Sequence, residues 1–372
     1  MRTRALLLLV LLAGAASAQR AEATHAVRTL RELRQEGRYE EALAFAEALP
    51  APVADETRVA GERAQLLMRL DRTAEAAELL KAYADVTRAP LPLAMARAHL
   101  RIAAGDPRGA AAIARAGLAQ GVGTRGWQAV LVRALVAGGD AAEAREALDA
   151  MPDDTPDFLR RDLTIDVLRV RAAVAAREAE GLGRAVALLE QALALDGSRA
   201  DVRLDLVLEL VRWHREDRAE ALAREGLASL DRPGARADML YALGVVQRAR
   251  MDLEGSLESF GRALELAPHH ERAQVGLARS HLKAGRVDEA ARALDALLAR
   301  APGSTDALLA KGEAELARRE GARAREALER LVDLRPDHER ALYLLARAHA
   351  MEGREQDAAL SMRRYEELAA RR

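Results

Sequence analysis

The side chains with most chemistry to offer lie in the second half of the chain. His269 and His270 are adjacent, Glu271 follows them, and His338-Glu339 echoes the arrangement downstream. Imidazoles beside a carboxylate are the ligands of a divalent metal, which could activate water for hydrolysis. A catalytic metal needs about three ligands fixed on rigid elements, and the chain contains no H-E-x-x-H. These histidines are therefore read as structural or surface residues, with a metal-assisted hydrolase as the alternative. Gly121-Val122-Gly123-Thr124-Arg125-Gly126 matches G-x-G-x-x-G. That fingerprint works only between a strand and a helix, where the pyrophosphate meets helix amides. Residues 110–120 read as an alanine-rich helix, so the glycines predict a turn ahead of Trp127. No serine occupies G-x-S-x-G, and Ser280 points about 100° away from its neighbour His281 on a helix. The chain reads as a non-enzyme without a cofactor.

Composition narrows the remaining classes. The 57 basic and 58 acidic residues nearly cancel, and aromatic residues make up 3% of the chain. Nucleic-acid binding requires a concentrated basic footprint, often with stacking platforms, and neither is visible. There is no cysteine, which removes disulfides, thiolate chemistry and cysteine-ligated metals.

The opening residues carry an address. Arg2 and Arg4 precede an apolar run from Ala5 to Ala16, and Ala16-Ser17-Ala18 forms a small-x-small cleavage site. This is the pattern of a secretory signal peptide over residues 1–18, with cleavage expected between Ala18 and Gln19. About 12 apolar residues are too few for a membrane span, which needs roughly 20. A periplasmic, exported protein with no integral membrane segment after cleavage is the expectation.

What positions everything else is a repeat. Pro268, Pro302 and Pro336 are 34 residues apart, and the C-terminal part divides into units 237–270, 271–304, 305–338 and 339–372. In each unit apolar residues recur at helical spacing, a turn falls near a glycine such as Gly285 or Gly353, and a second helix follows. Glycine relieves the left-handed turn at a helix end, and Asp288 and Glu289 suit the positive end of the next helix dipole. Looser copies fall at 24–50, 53–88, 92–120, 124–152, 158–199 and 201–234, with turns at Gly37-Arg38, Asp71-Arg72, Gly105-Asp106 and Gly138-Gly139-Asp140. The sum is about ten helix pairs and no strand pattern. Met151 to Asp157, with two prolines, is a candidate break between pairs at 19–152 and at 158–372.

This 34-residue grammar resembles the tetratricopeptide repeat (TPR) family. The resemblance rests on small residues at Gly244, Ala278, Gly312 and Ala346, then Ser256 or Ala290, Phe260 or Leu294, and Ala263 before the proline. The tryptophan usual near the start of the first helix is lacking, and His281 and His349 stand where the family has a large residue. The fold implied is all-α, an α-solenoid forming a right-handed superhelix of about ten hairpins. The family lines its concave wall with first-helix positions two, five, nine, twelve and thirteen. Carried onto this chain, they give a partner-binding face of Tyr241, Arg248, Arg272, Arg279, Lys283, Arg340, Tyr343 and Arg347, interrupted by Asp306 and Glu313. Arginine takes carboxylates bidentately, so an acidic or C-terminal protein segment is the expected ligand. The family's chaperone-tail clamp uses asparagines, and this chain has none. The resulting expectation is an exported scaffold or adaptor in cell-envelope assembly or secretion. The alternative is a component of polysaccharide export, with Tyr241, Tyr343 and Tyr365 aligned as a sugar platform.

Overall fold

A computed structural model describes residues 18–33, 38–70, 72–84, 90–121, 123–178 and 180–370. The expected leader, apart from Ala18, lies outside these residues, as do the turn residues Gly37 and Asp71. Every regular element among the described residues is a helix. The chain divides into two compact units, Met1–Val174 and Ala175–Arg372.

In the first unit, residues 18–33 form α1, followed by α2 (Tyr39–Glu47), the single turn α3 (Ala51–Ala54), α4 (Thr57–Arg69) and α5 (Thr73–Lys81). Two more hairpins follow: α6 (Leu91–Ala103) with α7 (Pro107–Leu118), and α8 (Thr124–Gly138) with α9 (Ala141–Asp149). Then comes α10 (Asp157–Ala175). Alanine dominates the buried faces, as at Ala23, Ala26, Ala42 and Ala46, and lets neighbouring backbones approach closely. The division between units falls at the end of α10, not at residues 151–157. The cause is packing: Leu163 and Val167 of α10 are buried in the same core as Trp127, Leu135 and Leu148.

The second unit starts with α11 (Leu182–Leu195) and continues as five hairpins: α12 (Ala200–Arg212) with α13 (Glu216–Ser229), α14 (Pro233–Ala249) with α15 (Leu253–Leu266), α16 (Glu271–Lys283) with α17 (Val287–Arg300), α18 (Thr305–Ala317) with α19 (Gly321–Leu334), and α20 (Glu339–Met351) with α21 (Glu355–Ala369). First helices touch first helices, from α12 and α14 through α16 and α18 to α20. Each second helix meets the following repeat through that repeat's first helix. A hairpin has two apolar faces and can cover only one alone, so stacking completes the core. Pro233 differs from the other prolines in that it opens α14, which is longer by a turn than its successors.

The 34-residue period is written in helix ends. At the entry to α16, α18 and α20, the side chains of His270, Ser304 and His338 accept from the amides of Ala273, Ala307 and Ala341 at 3.1, 3.3 and 3.2 Å. At the exit of α14, α16, α18 and α20, Met251, Gly285, Arg319 and Gly353 all adopt φ between 63° and 75°. Each exit closes with a 2.9 Å bond from the next residue's amide to the carbonyl five positions back, as from Arg286 to His281. That is a Schellman motif, and two of its four left-handed positions hold side chains that resist the conformation.

Phe260 shows how the small residues work. It is wholly buried. A Cβ on Gly244 or on Gly276 would come within 2.7 Å of its ring, so only glycine admits the phenyl between α14 and α16. One buried charge is equally local. Glu315 on α18 is fully buried and pairs with Lys311 at 2.7 Å and Arg318 at 3.3 Å. Those cations reach Asp295 at 2.6 Å and Asp288 at 3.0 Å on α17, so a five-residue network ties the two helices together.

Met251→Gly and Arg319→Gly relieve left-handed strain at exposed turns, and each raises unfolding free energy by about 0.5–1 kcal/mol in urea titration. Separately, burial lowers the pKa of His349 and of His281, assisted by the charges of Arg354 and Arg286 respectively. Both present Nδ1 without a hydrogen-bond partner among the described residues. Because the folded pKa lies below the unfolded one, the unfolded chain takes up protons first as pH falls. Stability is then complete above about pH 6.5 and declines from there toward the folded values. Leucine at both positions flattens that decline in denaturation midpoints measured from pH 7.5 to 5.

Candidate partner-binding groove

First helices α14, α16, α18 and α20 pack in succession and share one face. Along it runs a groove of about 770 Å³ lined by side chains of all four. Because the helices are equivalent, residues 34 apart fall in line: Arg279 on α16, Glu313 on α18 and Arg347 on α20. Arg248, Lys283 and Arg340 add three cations, and Asp306 adds a carboxylate. Leu282, Leu309, Leu316 and Leu344 form the floor between the charges. Five cations thus face two carboxylates, in a chain whose overall charge is close to zero.

The cations are held differently. Arg248 is the anchored one: its guanidinium donates to the Gly276 carbonyl at 3.1 Å and lies 5.5 Å from the Phe260 ring centre. Burial lowers its pKa, and the nearby Arg279 charge adds to the effect, yet arginine stays protonated. Arg340 pairs with Glu313 at 2.6 Å. Lys283 rests its ammonium 3.8 Å from the Met251 sulfur. Arg279 and Arg347 make no ion pair or hydrogen bond among the described residues, although most arginines of the second unit do. Arg279 is half-buried and Arg347 exposed.

Of the eight residues carried over from the repeat pattern, Arg248, Arg279, Lys283, Arg340 and Arg347 line the groove. The other three lie elsewhere. Tyr241 is half-buried, packed against Phe260 at 5.8 Å and His270 at 5.5 Å, and burial raises its phenol pKa. Arg272 is exposed at the start of α16. Tyr343 is exposed and pairs with Tyr365 of α21 at 5.7 Å. Tyr241 and the Tyr343–Tyr365 pair therefore belong to separate clusters. Leu344 was not anticipated, because it occupies a first-helix position outside the family's concave set and is buried in the core of the last repeats.

The junction histidines have structural work. His270 caps α16 through Nδ1 while its Nε2 lies 3.0 Å from Asp238, and His338 caps α20. No group of three metal-ligating side chains assembles among the described residues. The G-x-G-x-x-G stretch joins α7 to α8, with Gly121 and Gly123 left-handed, so a helix precedes it where a dinucleotide site needs a strand.

The first unit has its own groove, of about 590 Å³, which sequence reasoning did not single out. Leu91, Pro92 and Met95 form much of its wall. Its arginines are already ion-paired, Arg31 with Glu62 at 2.6 Å and Arg125 with Asp154. It lacks the unpaired guanidinium groups found in the second unit's groove.

No helix among the described residues is long and apolar enough to cross a membrane. No curated protein matches the sequence. Among solved structures, the Cut9–Hcn1 hetero-tetramer of the APC/C aligns over 92% of this chain and 78% of its own, with 14% identity and a TM-score of 0.48. A tetratricopeptide repeat protein from Parabacteroides merdae aligns over 64% and 90%, with 18% identity and a TM-score of 0.47. YrrB, described as a TPR protein with an unusual peptide-binding site, aligns over 48% and 89%, with 25% identity and a TM-score of 0.32. Two tetratricopeptide repeat profiles match residues 248–316 and 309–371, from the end of α14 through α21. Over residues 248–371 the chain is built of tetratricopeptide repeats.

Proposed function

We propose that the protein is an exported scaffold that holds an acidic segment of a partner protein in the groove of its second unit. The observation that carries this reading is the pair Arg279 and Arg347, two guanidinium groups without an acidic partner among the described residues, beside a leucine floor. An arginine left unpaired in a chain with 58 acidic residues is positioned for a carboxylate from outside. The leucines supply apolar contact, and the charges supply orientation and speed of encounter. Catalysis has no comparable support, because the histidines that suggested it cap helices. Export rests on the sequence of residues 1–18, and a role in envelope assembly or secretion rests on that address together with the repeat architecture.

Charge reversal tests the groove. Arg279→Glu with Arg347→Glu is expected to abolish cross-linked capture of the native partner, while helical content and thermal midpoint stay near wild type. Retained capture at wild-type yield refutes the groove. Export has its own measurement. Protein expressed from its full sequence in a Gram-negative host should appear in the periplasmic fraction with Gln19 as its first residue by intact mass. Uncleaved protein retained in the cytoplasm refutes the address.

A further inference from the structure

The groove's charges have an order as well as a sign. In register along successive first helices stand a cation, an anion and a cation: Arg279, Glu313 and Arg347. No ion pair links Arg279 or Arg347 to Glu313. Packed helix axes stand about 8–10 Å apart, so the line places one charged residue on each successive helix at about that interval. Glu313 engages Arg340 through Oε1. Its other oxygen makes no hydrogen bond among the described residues.

A ligand crossing the helices meets one of these charges about every 8–10 Å. In a β-strand, three residues cover about 10 Å, but side chains three apart point to opposite faces. In a polyproline-II segment three residues cover about 9.3 Å and complete one turn, so residues i, i+3 and i+6 share a face. Of these two extended conformations, only the second matches both the spacing and the direction of the charges. It also enters without the ordering cost of a flexible chain, and its intervening prolines suit the floor of Leu282, Leu309, Leu316 and Leu344.

We infer that the groove recognises a polyproline-II segment of a partner carrying acid, base and acid at every third residue. The acids face Arg279 and Arg347, and the base faces Glu313. This rests on the groove being the binding site, and it replaces a generally acidic ligand with one of defined charge order.

The full chain is titrated at low salt, by fluorescence anisotropy, against four labelled nonapeptides. The first is Pro-Glu-Pro-Pro-Lys-Pro-Pro-Glu-Pro. The second moves the lysine to the first charged position, the third has glutamate at all three, and the fourth repeats the first with glycine replacing proline. The first is expected to bind at least about fivefold tighter than each of the others. Glu313→Gln is expected to remove its advantage over the all-acid peptide, with Arg279→Ala weakening both. If the all-acid peptide binds as well or better, the charge order is wrong while the acidic-segment reading stands. Equal binding of the reordered peptide overturns the register, and equal binding of the glycine peptide overturns the conformation. If none of the four binds, this inference falls; the acidic-segment reading is then decided separately by the charge-reversal capture.

Discussion

Everything in the second unit depends on how closely helix backbones can approach. Phe260 fits between α14 and α16 only because Gly244 and Gly276 leave its ring room. The same crossing is made elsewhere by Ala278, Ala310 and Ala314, all fully buried. A chain with so few aromatic residues gains its core from many short contacts, each small, summed over close-packed surfaces. That tight spacing also sets the pitch at which first-helix residues recur. The geometry of the groove is therefore a by-product of the core, and a larger residue at Gly276 would shift the line of charges as well as the packing.

The electrostatics follow from the same repetition. Where acid and base fall on one helix a turn apart, or on neighbouring helices within reach, they pair, as Glu315 does with Lys311 and Arg318. Where the register places them one whole repeat apart, they stay separate. Arg279 and Arg347 belong to the second case. Their openness is a consequence of position, not of a shortage of carboxylates. Arg248, in contrast, spends its donors on a backbone carbonyl and its charge on a ring, so it shapes the groove wall more than it recruits a ligand.

Much of this could be read from the residues. The prolines at 268, 302 and 336 and the glycines at 285 and 353 mark the period, because turns impose backbone conformations few residues accept. Family positions located Arg279, Arg347 and their neighbours, since position on a helix fixes direction. What was not legible depended on partners distant in sequence. Tyr241 occupies a concave position by spacing, but Phe260 and His270 draw its ring into the wall. His270 and His338 looked like ligands because histidine is an uncommon cap, and only the distance from Nδ1 to an amide reveals the role. The proline-rich segment at 151–157 looked like a border, whereas α10 beyond it completes the preceding core.

The network around Glu315 has a consequence for how the second unit comes apart. Repeats that touch only neighbours lose structure piecemeal, beginning wherever a seam is weakest. The α17–α18 seam carries a desolvated carboxylate whose two cations are themselves tethered across it. Separating these helices strands charge in a poorly hydrated crevice before water can fully enter, which opposes partial opening there. Pulled from its ends, the unit would shed outer hairpins first and retain α16 to α19 as its last intact block, with the central part of the groove still assembled.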